Sequence, residues 1–458
     1  MNQSSRDDIL KGVRPSPGPG RGAVSSKSSR DEQPKRSLPG STVRKEGRAI
    51  SDPSRDHDLV VYGASGFVGT LLADYLATHA PDDVRIALAG RSRGRVEAVR
   101  AGLPERARDW PVLVADSTDA AALAALASST KVLATTVGPY ARYGLPVVEA
   151  CARAGTHYAD LTGEVLFVRA AIDRCDALAR ETGARLVHSC GYDSIPSDLG
   201  TLLLHRRAAE DDAGALEEAE LLASARGGFS GGTVASLLGQ LETVVGDREL
   251  RRVATDPHGL SPDRAAEPAP AQPADAARPS RRRDGTWVAP FVMAPFNTRI
   301  VRRSNALQDW AYGRGLRYGE VMSCGRGPAG AAVAAGVTAG LAAFAGAVTL
   351  PPTRALLERV LPAPGTGPSE RTREKGWFRS VVHGRTARGR RYTVTVAGQG
   401  DPGYAGTAVM LGQSALCLVS DTDRLPDRAG SLTPATAMGT ALIERLRAAG
   451  HTYDVAPA

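Results

Sequence analysis

The residues best suited to chemistry in this chain sit where short apolar runs end. Asp58 to Tyr62 is such a run and stops at Gly63; Ala64-Ser65-Gly66 must turn before Phe67-Val68-Gly69 resumes at helical spacing. Strand, glycine turn and helix in that order make an anion seat. Gly63 permits a tight turn, Gly66 lets the backbone approach a pyrophosphate, and Gly69 lets the helix pack on the strand, while free N–H groups of the first helical turn face the anion. A plain strand-to-helix turn is the alternative, but the placement after a strand and at a helix start favours a dinucleotide. The G-x-x-G-x-x-G spacing is the variant associated with NADP. A second run, Val84 to Ala89, ends at Gly90-Arg91-Ser92-Arg93. An acid there would bind a ribose 2′-hydroxyl, whereas arginine pairs with a 2′-phosphate. With no acid present, the expected cofactor is NADP(H), with Arg91 as the main phosphate contact and Ser92 beside it. The plain alternative for Arg91 is a solvated arginine at a helix start.

Two more runs place further candidates on the same edge. Pro111 to Ala115 ends at Asp116, whose carboxylate could reach an adenine amino group or cap a helix over Ser117 to Leu126; both readings stay open. Lys131 to Thr136 leads into Val137-Gly138-Pro139-Tyr140, a loop expected to face the nicotinamide. Beyond a helix from Gly144 to Ala154 come a short strand at His157 to Ala159, a polar loop at 160–164, a helix from Val165 to Thr182, a strand at Arg185 to Ser189, and the loop Cys190 to Asp198. His157 and His188, associated with strands, read as core or polar-network residues.

The elements that must hold these residues alternate strand and helix from 58 to about 204. That rhythm predicts an α/β fold: a Rossmann domain with a doubly wound parallel sheet over 56–204, and an α+β second domain for substrate or dimerisation over 205–458, whose C-terminal part can return to the first. In the second domain, strands are expected at Ala219 to Ala225, Arg299 to Val301, Trp377 to Val382 and Arg391 to Val396, the last two as a hairpin. A glycine-rich turn is expected at 227–232, with helices at Thr233 to Val245, Tyr404 to Leu418 and Thr433 to Ala448. Residues 257–285 read as a linker-like insertion. Residues 329–350 are 22 uncharged positions, mostly Ala and Gly, read first as a buried helix or dimer seam, then as a lipid contact, then as a membrane insertion.

Composition bounds the class. A length of 458 residues with 42% hydrophobic content supports two or three domains with real cores. Five scattered cysteines without a C-x-x-C pair suggest neither a disulfide framework nor a zinc site, and so a cytoplasmic setting, with membrane association as the variant. Residues 1–55 carry twelve Lys/Arg against six Asp/Glu and so supply +6 of the net charge of +8. The body is then nearly neutral, which argues against nucleic acid; the segment reads as a disordered basic tail. There is no metal-ligand spacing and no nucleophile elbow.

Several blocks together resemble the saccharopine dehydrogenase-like oxidoreductases, and within them the trans-acting enoyl reductases. They are YGASGFVG (62–69), ALAGRS (87–92), TTVGPYARYGLPVVEAC (135–151), AGTHYADLTGE (154–164), CGYDSIPSDLG (190–200), APFNTRIVRRSNAL (294–307) and PAPGTGPS (362–369). The resemblance implies an NADP-binding Rossmann domain and reduction of a carbon–carbon double bond in a polyketide or lipid acyl chain. It also implies an acyl carrier protein or polyketide synthase as partner. Such a reaction needs a donor for the enolate oxygen and an acid for the α-carbon. Tyr140 is the first candidate, then Tyr143, Tyr192 and Asp193, each tyrosine weighed against a packing role. Asp160, Glu164 and Asp193 could position water or the nicotinamide ribose, or cap helices, Thr162 with Glu164 and Asp193 with Ser197. The alternatives are a saccharopine-type reductase of a carbon–nitrogen bond, with an arginine-lined pocket, and a non-catalytic NADP-binding protein associated with membrane or lipid.

Overall fold

The computed structural model describes residues 55–227, 247–268, 270–276, 278–349, 353, 367 and 369–458. Six strands alternate with six helices in the first half: β1 His57–Tyr62, α1 Phe67–His79, β2 Ile86–Gly90, α2 Arg93–Gly102, β3 Val112–Val114, α3 Ala120–Ser128, β4 Thr130–Thr135, α4 Tyr140–Ala154, β5 His157–Ala159, α5 Val165–Thr182, β6 Arg185–Val187 and α6 Ile195–Glu210. The strands pair in parallel in the order β6-β5-β4-β1-β2-β3. β1 and β4 lie side by side but feed opposite halves of the sheet, so their carboxyl ends flank the crevice where such sheets bind ligands. β2 is buried at all five positions and β1 at five of six, because helices cover both faces.

A second seven-stranded sheet is built from β7 Leu216–Arg226, β8 Ser280–Arg281, β9 Thr286–Pro290, β10 Arg317–Arg326, β11 Trp377–Thr386, β12 Arg391–Gln399 and β14 Thr452–Pro457, in the order β14-β12-β11-β7-β10-β9-β8. The expected hairpin is β11 with β12, and their alternating burial turns Phe378, Val382, Val394 and Val396 inward. That inner face packs on α6, while β10 of the same sheet packs on α8, Ala294–Leu307. The remaining elements are α7 Arg248–Thr255, α9 Gly327–Thr349, α10 Glu370–Glu374, α11 Thr407–Ser420, β13 Gly430–Leu432, α12 Pro434–Ala437 and α13 Gly439–Ala448. β13 pairs in parallel with β6, so the chain returns to extend the first sheet. α11 lies on α1, where the Gln413 Nε2 donates to the Tyr75 hydroxyl at 2.7 Å.

Four expectations are corrected. Arg299 to Val301 is helix, not strand: it lies inside α8, every residue of which is buried except Pro295. Residues 257–285 are no free linker. Leu260 is fully buried, Arg303 of α8 donates to its carbonyl at 2.6 Å, and Arg302 donates to the Pro257 carbonyl at 3.2 Å. The helix expected over 433–448 is two, broken at Met438, with Gly439 at a φ of 56°. The segment 329–350 is helical but not buried: most of α9 is uncovered. The helix expected at Thr233 to Val245, most of the 227–232 turn and most of PAPGTGPS lie outside the described residues.

Candidate cofactor and reaction site

The glycine turn has the geometry its sequence implies. Gly63 adopts a φ of +90°, and its N–H donates to the Ala89 carbonyl at 2.9 Å, tying the turn to β2. A Cβ on Gly69 would lie 2.1 Å from the Gly63 carbonyl oxygen, so only glycine lets α1 start this close to β1. Gly66 differs: a Cβ there would meet just one atom, the Gly63 oxygen at 3.3 Å. Packing within the protein therefore makes little demand for glycine at this exposed position, whereas a phosphate approaching the backbone would. Ser65 is exposed beside it, Ala64 is buried under the turn, and Phe67 and Val68 form the first helical turn.

Arg91 is exposed just past β2, with Ser92 half-buried as the residue before α2. Neither is followed by an acid before Glu97. Asp116 is exposed at the end of β3, and its Oδ1 accepts from the N–H and hydroxyl of Thr118 at 2.9 and 2.7 Å. Those hydrogen bonds from Thr118, with Arg91 contributing, hold its carboxyl below the usual range. It does not cap α3, which starts three residues later than expected: Asp119 does, accepting from the N–H groups of Ala121 and Ala122 at 3.0 Å. At the crevice, Thr136 donates its hydroxyl to the Gly63 carbonyl at 3.2 Å, joining the loop after β4 to the glycine turn. Val137 and Pro139 are half-buried and Gly138 is exposed on that loop. These residues fit a dinucleotide: a glycine cradle, a cation at the second strand, and an accessible loop at the crevice.

Tyr140 is placed differently from the expectation. α4 starts at this residue, four positions earlier than its spacing suggested, and the ring is 6% exposed. Its hydroxyl donates to the Thr135 carbonyl at 3.1 Å and accepts from the Leu161 N–H at 3.2 Å, so both functions of the phenol are used inside the core. Burial first, and then the charge of Asp160, pushes its ionisation far up. Tyr143, half-buried one turn along α4, has the Arg142 guanidinium 5.1 Å from its ring centre.

The acidic residues of the 160–164 loop are structural. The Asp160 Oδ2 meets the His188 Nδ1 at 2.7 Å, and its Oδ1 accepts from the Thr162 and Ser189 N–H groups at 3.0 and 2.8 Å. His188 and Asp160 are both buried, in keeping with a polar network. Glu164 precedes α5 without capping it; its two oxygens accept from the Tyr140 and Ala141 N–H groups at 3.0 and 2.7 Å, capping α4 instead. Asp193 likewise caps nothing: α6 begins after Ser194 with no side-chain cap.

Tyr192 and Asp193 stand at the end of β6, where the two sheets meet. The Tyr192 ring packs edge-on to Phe378 of β11 at 5.2 Å, and its N–H donates to the Thr407 hydroxyl at 3.1 Å. The tyrosine hydroxyl is buried. Asp193 retains some residue surface, but burial of its carboxyl pushes it up to about 7, and it accepts no hydrogen bond among the described residues. Leu161 and the Thr407 methyl group approach Gly191 of this loop, and the Ser194 hydroxyl in it donates to the Asn297 Oδ1 at 3.1 Å; Met293 approaches Gly163 of the 160–164 loop. Sequence reasoning missed the C-terminal partners. Tyr404, in the π-helical turn Pro402–Gly406, packs on Phe67 of the glycine turn at 4.8 Å, and Arg373 lies 5.4 Å from the same ring. No local pattern links residues more than 300 positions apart. Among the described residues no cluster of His, Cys, Asp and Glu suits a metal ion.

Residues 59–189 match the saccharopine dehydrogenase NADP binding domain. A Mycobacterium tuberculosis protein named as a trans-acting enoyl reductase is 52% identical over 407 residues, 86% of this chain and 96% of the relative. A second relative, the trans-acting enoyl reductase of Mycobacterium bovis, is 49% identical over 413 residues, 88% of this chain and 98% of the relative. This chain belongs to the trans-acting enoyl reductase family. Its fold is that of apo saccharopine dehydrogenase (L-Glu forming) from Saccharomyces cerevisiae, with a TM-score of 0.50, 13% identity and coverage of 88% of this chain and 100% of the other. The trans-acting enoyl reductase fold thus joins an NADP-binding Rossmann domain to a mixed-sheet domain, and the chain is an NADP-dependent oxidoreductase.

Proposed function

We propose that this protein is an NADPH-dependent reductase of the α,β double bond of an enoyl thioester, acting on an acyl chain presented by a separate carrier protein or polyketide synthase. The observation that carries this reading is the near full-length identity to proteins of that name. Leu161 and Phe378 beside the Tyr192 loop favour it over an imine reductase, which needs cationic groups for amino-acid carboxylates. The arginines of α8 are spent on structure: Arg299 pairs with Asp275, while Arg302 and Arg303 donate to backbone carbonyls.

In this reading Gly63 to Gly69 seat the pyrophosphate, Arg91 and Ser92 take the 2′-phosphate, Asp116 borders the adenine side, and Val137-Gly138-Pro139 face the nicotinamide. NADPH supplies the hydride that reaches the β-carbon. Tyr192 and Phe378 form an apolar wall that excludes water from the acyl chain. Asp193 holds the proton for the α-carbon: a carboxyl raised to about 7 is still partly protonated at neutral pH. Tyr143 is the second candidate for that role. Tyr140, whose hydroxyl is occupied by the backbone, orients the 161 loop.

The test is NADPH consumption with enoyl thioesters and with cyclic imines as separate substrates. Turnover of enoyl thioesters is expected, with kcat falling as pH rises through about 7, and Asp193→Asn should lower kcat by roughly 100-fold and abolish that fall. Activity on imines alone would remove the enoyl reading. A wild-type kcat and pH profile in Asp193→Asn would remove only the acid role.

A further inference from the structure

Helix α9, Gly327–Thr349, is apolar around its whole circumference yet mostly uncovered. No charged residue lies between Arg326 and Arg354, and 11% of its membrane-length apolar window is buried. Ala334 and Val348 are buried, while Val333 is 49% exposed and Ala335, Ala339 and Ala343 are exposed. A helix that docks into a protein groove needs one apolar stripe; one that is apolar all round belongs in a core or against lipid. The core is excluded by its exposure.

A second copy of the chain is a poor occupant. A helix of 23 residues is about 34 Å long and about 10 Å wide, so pairing two of them buries roughly 700 Å², below the ~1,200 Å² of a stable interface. The surroundings point to a different one. β8 pairs with β9, and Thr286 of β9 lies opposite Arg326 of β10, the residue before α9. The turn at 282–285 therefore shares the sheet end from which the helix departs, and Arg326 meets Asp284 there at 3.4 Å. Arg281 and Arg283 are exposed on this end, with Asp284 as the acid beside them. An uncharged helix with a cationic fringe at its base matches a surface that is apolar below and anionic above.

We propose that α9 docks this protein on an anionic phospholipid surface, the helix lying at the boundary of headgroups and acyl chains and Arg281, Arg283 and Arg326 meeting lipid phosphates. Its Ala and Gly content gives each residue little transfer free energy, so the contact is peripheral and reversible. This stands apart from the reductase reading and survives its failure.

Flotation of the full-length protein with phosphatidylcholine vesicles, with and without phosphatidylglycerol, tests it. The wild type should float with the phosphatidylglycerol vesicles at low salt. Arg281→Ala with Arg283→Ala should lower the partition roughly 30-fold, about 1 kcal/mol for each cation near the surface. Val333→Asp with Phe344→Asp should lose flotation while still binding NADPH, which reports an intact fold. That variant retains the basic residues 1–55, so undiminished flotation would assign binding to that segment and overturn the proposal. A wild type that floats with neither vesicle also overturns it. So does a dimer in vesicle-free sedimentation that Val333→Asp splits, in favour of a second copy.

Discussion

Arg91 stands exposed at the end of β2 and forms no ion pair of its own among the described residues. A cation held there by the end of the second strand suits a 2′-phosphate, and in the proposed reading it is what separates NADPH from NADH. Arg91→Ala should weaken NADPH binding roughly 30-fold, on the scale of one hydrogen bond to a charged group, and leave NADH within about 3-fold. Fluorescence titration with the two nucleotides decides it; equal losses would remove the assignment. Residue types at the strand ends were legible in the sequence because the pattern fixes where a strand stops and what must follow. Hydrogen-bond partners were not. Tyr140 reads equally well as a proton donor until the Thr135 carbonyl and the Leu161 N–H are seen to hold its hydroxyl. Glu164 reads as a cap for its own helix, but it caps α4, brought beside it by the fold.

Elements with one dry and one wet face, or buried runs closed by glycine, announce themselves, and the first six strands were legible for that reason. α8 was not: sheathed on every side, its APFNTRIVRRSNAL sequence has no solvent stripe to reveal a helical period, and its buried arginines disguise it further. β13 is three residues long and pairs with a strand more than 240 positions away, below any local signal. The tightest constraint on an element lies between β1 and α1. Gly69→Ala would put a methyl group 2.1 Å from the Gly63 oxygen and 2.8 Å from its carbon, both backbone atoms that α1 and β2 hold in place. The helix must move off the strand, at a cost of about 3 kcal/mol, at the upper end of overpacking. Urea denaturation should show that loss together with weakened NADPH binding. Gly66→Ala, with its single 3.3 Å contact, should lose cofactor affinity with stability changed by under about 1 kcal/mol. Equal destabilisation by both would mean that packing, and not a ligand, requires glycine at 66.

At the scale of the whole molecule, the two sheets are joined through buried carboxyls. Asp198 of α6 accepts from the Ser304 hydroxyl of α8 and from the Ala435 N–H of α12. Glu320 of β10 accepts from the Tyr318 hydroxyl at 2.8 Å and from the Asn297 Nδ2 of α8 at 3.0 Å. Burial pushes both up to about 7, as it does Asp193. The folded protein thus holds protons that the unfolded chain releases near pH 4, so the stabilisation is complete below that pH and is lost as pH rises through about 7. Asp58 works the other way: burial alone would raise it, but hydrogen bonds from Arg85 and the Lys131 charge hold it at about 2, and its contribution fades only in strong acid. Between about pH 8 and about pH 6 each of these three carboxyls should add about 1 kcal/mol as the pH falls, against which His157 and His451, both held at about 4 by burial, each take away just under about 1 kcal/mol. Thermal unfolding should therefore show Tm rising on acidification across that range. Glu320→Gln, neutral throughout, should make the rise smaller, because it leaves only Asp198 and Asp193 to take up protons. If Glu320→Gln instead shows the same change of Tm with pH as the wild type, Glu320 is already ionised in the fold and the junction between the sheets is held by charge.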